Sequence, residues 1–295
     1  MQLGFVGLGA MGLPMARHLL EAGHQVTVAS RRPGPVERAV ALGAADGGSP
    51  AGVAAASRIV ILCLPSSPQV TEVVGALLPE LGADQVVVDC STIDPEVARA
   101  EHDRVGAAGA AFLDAPLSGG TAGAEAGTLT LMVGGEEATL DAVRPALEPF
   151  AGRIVHVGGP GMGQVVKLCN NLIYAAQMLA TSEATALALK SGVDLAKFHD
   201  VLLHSTGDCV AVRTRLPVAG VVPDSPASNG WRPGFMTDLM AKDLDLALGY
   251  GAGAGVPLTT AATARQALTA AAAAGYGRED FSAVAKIIFA LSGLA

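Results

Sequence analysis

Short runs of branched apolar residues alternate with longer amphipathic stretches through the first half of the chain. Leu3–Val6 is followed by Gly12–Glu21, where apolar residues fall at helical spacing, and then by Gln25–Ala29. A strand-like run, a helical period and a second strand-like run mark a βαβ unit. Further strands are expected at Arg58–Leu64, Gln85–Asp89, Ala111–Ala115, Thr128–Val133 and Arg153–His156, most of them separated by turns bearing Gly or Pro. Such alternation predicts an α/β domain with a parallel, doubly wound sheet.

The pattern changes after Gly158-Gly159-Pro160-Gly161, beyond which strand signals nearly vanish. From Val165 to Lys190 apolar residues recur at helical spacing without a proline, so a continuous helix there would run about 39 Å at ~1.5 Å per residue. Later helices are expected at Asp194–Leu203, Asp238–Ala252, Thr259–Ala274 and Asp280–Leu291. The Ala-rich stretch Ala270–Ala274 reads as close helix packing. The expected organisation is a sheet domain over residues 1–163 and an all-α domain over residues 164–295, joined by the long helix.

Composition narrows the class. Hydrophobic residues make up 51% of the chain and charged ones 16%, which excludes a disordered or fibrous protein. The formal net charge of −8, with no cluster of Lys and Arg, argues against a nucleic-acid partner. Mean hydropathy is +0.44, but uninterrupted apolar runs such as Ile59–Leu64 fall far short of the roughly 18 residues a membrane span needs, so no membrane partner is expected. The first strand begins almost at Met1, which leaves no room for a leader and predicts a cytoplasmic protein. Cys63, Cys90, Cys169 and Cys209 are scattered, with no C-x-x-C pair, and are read as four buried thiols. The six His residues show no ligand spacing, so no metal is expected.

The first strand leads into Gly7-Leu8-Gly9-Ala10-Met11-Gly12, a G-x-G-x-x-G that opens a helix. Strand, spacing and helix agree, which makes a dinucleotide site of the Rossmann type the preferred reading over a structural loop. Gly7 would permit the tight turn, Gly9 the approach of backbone to pyrophosphate, and Gly12 the packing of helix on strand. An NAD site usually places a carboxylate at the end of the second strand, yet no acidic residue lies between Glu21 and Glu37. The strand ends instead in Ser30-Arg31-Arg32, where guanidinium groups could pair with a 2′-phosphate. NADP is therefore favoured, with NAD still possible and two solvated arginines the alternative.

Four further segments are ordinary singly and informative together. They are Ile59–Leu64 ending in Pro65; Asp89-Cys90-Ser91-Thr92-Ile93-Asp94-Pro95; Asp114-Ala115-Pro116-Leu117-Ser118-Gly119-Gly120; and Gly161-Met162-Gly163-Gln164-Val165-Val166-Lys167-Leu168-Cys169-Asn170-Asn171. The first three end predicted strands, at the carboxyl edge where open sheets bind ligands. Lys167 and Asn171 lie four apart, so one helical face presents both. An amine there could take a proton from a substrate hydroxyl or return one to a carbonyl, while the cofactor carries hydride.

With the opening G-L-G-x-M-G, these segments resemble the β-hydroxyacid dehydrogenase family over nearly the whole chain. The resemblance implies that Lys167 is the catalytic lysine, that Asn171 contacts substrate, and that Ser118, Gly119 and Gly120 hold its carboxylate. It also implies cofactor contacts from Leu64, Pro65, Thr92 and Lys242, and a substrate role for Lys242 and Asp243. Val221–Phe235, Met240–Leu244 and Gly275–Ser282 are similar to the 3-hydroxyisobutyrate branch. The expected reaction is oxidation of 3-hydroxyisobutyrate to methylmalonate semialdehyde, with 3-hydroxypropionate as a second substrate. Reduction of a tartronate, succinate or sulfolactaldehyde type of semialdehyde is the alternative, and a catalytically silent module the rival from another class. Trp231 and Phe235 either line the pocket for the substrate methyl or anchor the core. The resemblance and the apolar second half imply a homodimer or homotetramer.

Overall fold

The computed structural model describes residues 1–294; Ala295, the last residue of the expected second domain, lies outside them. The chain divides into two compact units, Met1–Lys167 and the remainder from Leu168.

The first unit runs β1 (Gln2–Val6), α1 (Gly12–Glu21), β2 (Gln25–Ala29), α2 (Pro33–Ala41), β3 (Ala45–Asp46), α3 (Pro50–Ala55), β4 (Ile59–Leu62), α4 (Ser67–Leu77), β5 (Val86–Asp89), α5 (Pro95–Ala107), β6 (Ala111–Asp114), β7 (Leu117–Ser118), α6 (Gly120–Ala126), β8 (Leu129–Gly134), α7 (Glu137–Leu147) and β9 (Ala151–Gly158). Strand order is β3-β2-β1-β4-β5-β6-β8-β7, with β9 paired to β8. From β3 to β6 every pairing is parallel, and the central strand β4 reads as an unbroken apolar run because helices cover both faces of the sheet. The sequence rhythm therefore locates seven of these strands to within two residues.

The sheet is parallel-dominated, as expected, and departs from that direction at β8. β8 runs antiparallel to both β6 and β7. The physical cause lies at Gly119 and Gly120, whose φ values of 133° and 61° turn the chain sharply after β7, and α6 has only seven residues before β8 begins.

In the second unit, α8 (Met162–Lys190) begins within the first unit and continues into α9 (Leu195–Leu203), α10 (Val210–Arg215), α11 (Thr237–Gly253), α12 (Thr259–Ala271) and α13 (Val284–Leu291). At 29 residues α8 spans about 43 Å. It is also long and apolar enough to cross a membrane by length and composition, although Lys, Asn, Gln and Thr interrupt its apolar run. A core helix passes the same test, and α8 contributes Ala175 and Met178 to the second core, with Met240, Leu244, Leu268 and Phe281. The expected helix over Thr259–Ala274 ends at Ala271, where a wider turn runs to Tyr276 and Gly275 takes φ 94°. Asp280, fully buried, is the polar hub of this unit. It pairs with Arg215 at 3.1 Å and accepts the backbone N–H groups of Gly234, Phe235 and Ser282. Phe235 rests on Phe281 with ring centroids 6.0 Å apart, so it is a core anchor; Trp231 instead covers Lys286, 4.8 Å from its ring.

Not all four cysteines are buried. Cys90 is, Cys63 and Cys209 are half-buried, and Cys169 is exposed on α8, where its helical position points it away from the core. Cysteine packs as a small hydrophobe only where the phase of its element turns it inward.

Candidate active site

The loops after β1, β2, β4, β5 and β6 all emerge at one edge of the sheet, and the strand order reverses between β1 and β4. Open sheets place their ligands in the crevice at such a reversal. The Gly7–Gly12 loop follows β1 and Leu64-Pro65 follows β4, so these two expected cofactor segments are neighbours. Ser30, Arg31 and Arg32 follow β2 beside them, both arginines exposed, and the Gly7 amide donates to the Ala29 carbonyl at 3.0 Å.

The three motif glycines differ in what surrounds them. Gly7 has φ 104°, and a Cβ there would lie 2.3 Å from the Cys63 carbonyl oxygen. A Cβ on Gly12 would lie 2.0 Å from the Gly7 carbonyl oxygen. Gly9 is different, because a Cβ there would meet no protein atom within 4 Å. Nothing in the protein requires glycine at position 9, whereas a phosphate approaching the backbone would. The N-terminus of α1 also has no side-chain cap, which suits an anion over its amides. The residues present thus fit a dinucleotide.

The loop after β5 is held by a buried relay. Asp89 Oδ1 accepts from the Ser91 amide at 3.0 Å, and Ser91 Oγ accepts from the Leu64 amide at 2.8 Å. Asp89 is fully buried with its other oxygen unpartnered; burial pushes its pKa up to about 7, with the Ser91 hydrogen bonds opposing and the Asp114 and Glu101 charges adding. Burial likewise pushes the Cys63 thiol up to about 12 and Cys90 well above the ordinary thiol range.

Asp114, the last residue of β6, anchors the start of α8. Its two carboxylate oxygens accept from the Gly161 amide at 2.8 Å and the Gln164 amide at 3.0 Å. Burial raises its pKa, against the pull of these amides. Gly163 packs so closely that a Cβ would lie 2.3 Å from the Met132 carbonyl oxygen. The second Gly-x-Gly motif is therefore a packing device that lets a helix begin against the sheet. Lys167 follows on the next turn, 7% exposed.

One turn later on α8, Asn171 is 2% exposed and donates Nδ2 to Asp243 Oδ2 at 2.5 Å. Asp243 Oδ1 pairs with Lys242 at 3.0 Å. Ser118 ends β7 in register with Thr130, and Gly119 and Gly120 turn the chain directly after it, partly open to solvent. Thr92 sits half-buried between Ser91 and Ile93. Among the described residues no group of three His, Cys, Asp or Glu side chains is gathered as a metal site. Sequence reasoning passed over Asp89, Asp114 and Gln164, although each stands inside a segment it quoted; an acid or amide in an otherwise apolar strand end or helix start was the available signal.

Residues 2–158 match the family model described as the NAD binding domain of 6-phosphogluconate dehydrogenase. Residues 161–288 match the one described as NAD-binding of NADP-dependent 3-hydroxyisobutyrate dehydrogenase. The chain belongs to the β-hydroxyacid dehydrogenase family. It is accordingly an oxidoreductase that uses a nicotinamide cofactor on a small hydroxy acid. Within the family, it is 40% identical over 290 residues to a 3-hydroxyisobutyrate dehydrogenase of Pseudomonas aeruginosa, covering 97% of each chain. An NAD-dependent L-serine dehydrogenase of the same organism is 38% identical over 289 residues, again 97% of each. The solved structure of a Mycobacterium tuberculosis 3-hydroxyisobutyrate dehydrogenase with L-serine superposes with a TM-score of 0.91 at 42% identity, covering 98% of this chain and 99% of that one.

Proposed function

We propose that this β-hydroxyacid dehydrogenase interconverts 3-hydroxyisobutyrate and methylmalonate semialdehyde, with NADP favoured over NAD and Lys167 moving the proton. The observation that carries the reading is the buried Lys167, held on a helix start that Asp114 pins to the ligand-binding edge of the sheet. In oxidation neutral Lys167 takes the hydroxyl proton at Nζ; in reduction its ammonium returns that proton to the carbonyl oxygen. A bound nicotinamide supplies the hydride acceptor or donor. Asn171, on the same helical face, orients the hydroxyl, and Asp243 and Lys242 fix the Asn171 amide. Ser118 and the amides of Gly119 and Gly120 receive the carboxylate. Gly7–Gly12, Leu64, Pro65 and Thr92 hold the dinucleotide, with Arg31 and Arg32 meeting the 2′-phosphate; the family description that names an NADP-dependent enzyme supports this choice.

The test is initial rates with both cofactors across 3-hydroxyisobutyrate, 3-hydroxypropionate, L-serine, glycerate and the small semialdehydes. No turnover of the branched acid overturns the substrate, and Lys167→Ala should lower kcat by at least about 100-fold at nearly unchanged cofactor affinity. L-serine is the second reading, favoured by the 38% identity to a serine dehydrogenase. The exposed Ile173 and Leu187 on α8, 55% and 69% accessible, support a homodimer or homotetramer, which light scattering decides.

A further inference from the structure

Gln164 is fully buried in the first turn of α8, where an apolar residue would serve if packing were its only task. Its side-chain amide instead bonds the backbone on both sides of Thr92. Oε1 accepts from the Ile93 amide at 3.0 Å, and Nε2 donates to the Ser91 carbonyl at 2.9 Å. The backbone amide of Gln164 is meanwhile held by Asp114 at 3.0 Å. Ser91 Oγ continues the chain of bonds to the Leu64 amide at 2.8 Å. One buried network thus joins the loops after β4 and β5 to the helix turn that bears Lys167, three residues on and on the same side of the helix.

We infer that Gln164 is a positioning residue that locks the Thr92 segment to the Lys167 turn, so that the cofactor contacts and the proton-moving amine are set in one register. The inference rests on the roles proposed above for Thr92, Leu64 and Lys167. A primary amide suits the task because it offers a donor and an acceptor from one planar group. Asn is too short by a methylene to make both bonds from the same backbone position. Met fills the volume but leaves the Ser91 carbonyl and Ile93 amide buried and unpaired. Ionised Glu keeps only the acceptor.

The experiment compares Gln164→Met, Gln164→Glu and Lys167→Met in the full chain, reading Tm, cofactor Kd from NADPH fluorescence, and kcat from pH 6 to 9. Gln164→Met should lower kcat by about 10- to 100-fold and raise the cofactor Kd with it, because small misplacement at a reacting centre is costly. Protonated Glu regains the donor toward Ser91, so the deficit of Gln164→Glu should shrink as pH falls. Lys167→Met should lose kcat at every pH with Kd unchanged. Folded Gln164→Met with kcat and Kd both within about twofold of the parent overturns the proposal, as does a change in Kd alone with kcat intact. If Gln164→Met fails to fold, the Gln164→Glu series decides: a deficit independent of pH overturns the proposal. Full activity of Lys167→Met would instead overturn the lysine assignment, while the Kd of Gln164→Met still reports whether Thr92 is locked.

Discussion

Asn171 and Asp243, 72 residues apart in the chain, meet at 2.5 Å between amide nitrogen and carboxylate oxygen. Asn170 donates to the Asn171 oxygen at 3.0 Å, so the amide orientation is determined from both ends. Nδ2 carries two hydrogens, of which Asp243 takes one.

Asp243→Ala removes the acceptor for Asn171 and the counter-charge for Lys242 together. Stability should fall by about 1–3 kcal/mol, the usual cost of leaving a buried polar group unpaired. Urea unfolding measures this, and kcat should fall with it because Asn171 loses its fixed orientation. A variant with parental stability and kcat would show that the pair does neither job.

Gly9 and Gly12 should respond oppositely to the same added methyl group. Gly12→Ala drives a Cβ to within 2.0 Å of backbone oxygen and should compromise folding, seen as a lowered Tm or insoluble protein. Gly9→Ala meets no protein atom, so Tm should hold while cofactor Kd rises at least about tenfold. Unchanged affinity in Gly9→Ala would place the pyrophosphate elsewhere.

Arg31→Asp should raise the KM for NADP far more than that for NAD, by about 10-fold or more, since a lost charge-assisted contact with phosphate is replaced by repulsion. Steady-state kinetics with each cofactor separate the two. Equal effects on both would assign Arg31 to the solvated surface.

Asp89 ionises near 3.8 in the unfolded chain but about 7 when buried in the native one. Between those values the native state holds a proton that the unfolded state has released, so stability falls as pH rises from about 4 to 7, with a slope approaching ~1.4 kcal/mol per pH unit. Asp89→Asn keeps an acceptor for the Ser91 amide and removes the titration. Relative to the parent, this variant should gain stability as pH rises through that window, as urea midpoints at the two ends would show. A constant difference would mean that Asp89 is ionised throughout.

The alternation of apolar runs located β1, β2, β4, β5, β6, β8 and β9, and the signal is plainest at β4, whose four residues are all buried. The two-residue strands β3 and β7 escaped, since two residues carry no period. Gly7 and Gly12 were readable because each answers a local demand, of turn and of packing. Thr92, Leu64 and Ser118 are candidate site residues through the family resemblance alone; a threonine or serine after a strand is otherwise an ordinary turn residue.

By itself, then, the sequence determined where most strands and helices fall, that a G-x-G-x-x-G turn follows the first strand, and that Lys167 and Asn171 share a helical face, all consequences of spacing within a few residues. Tertiary structure alone decided that β8 runs against β6, that Asp114 caps α8 from 47 residues away, that Gln164 brackets Thr92, and that Asp243 holds Asn171. Those pairings join residues tens of positions apart. No local period encodes them, because each depends on where folding brings two buried polar groups that must satisfy one another.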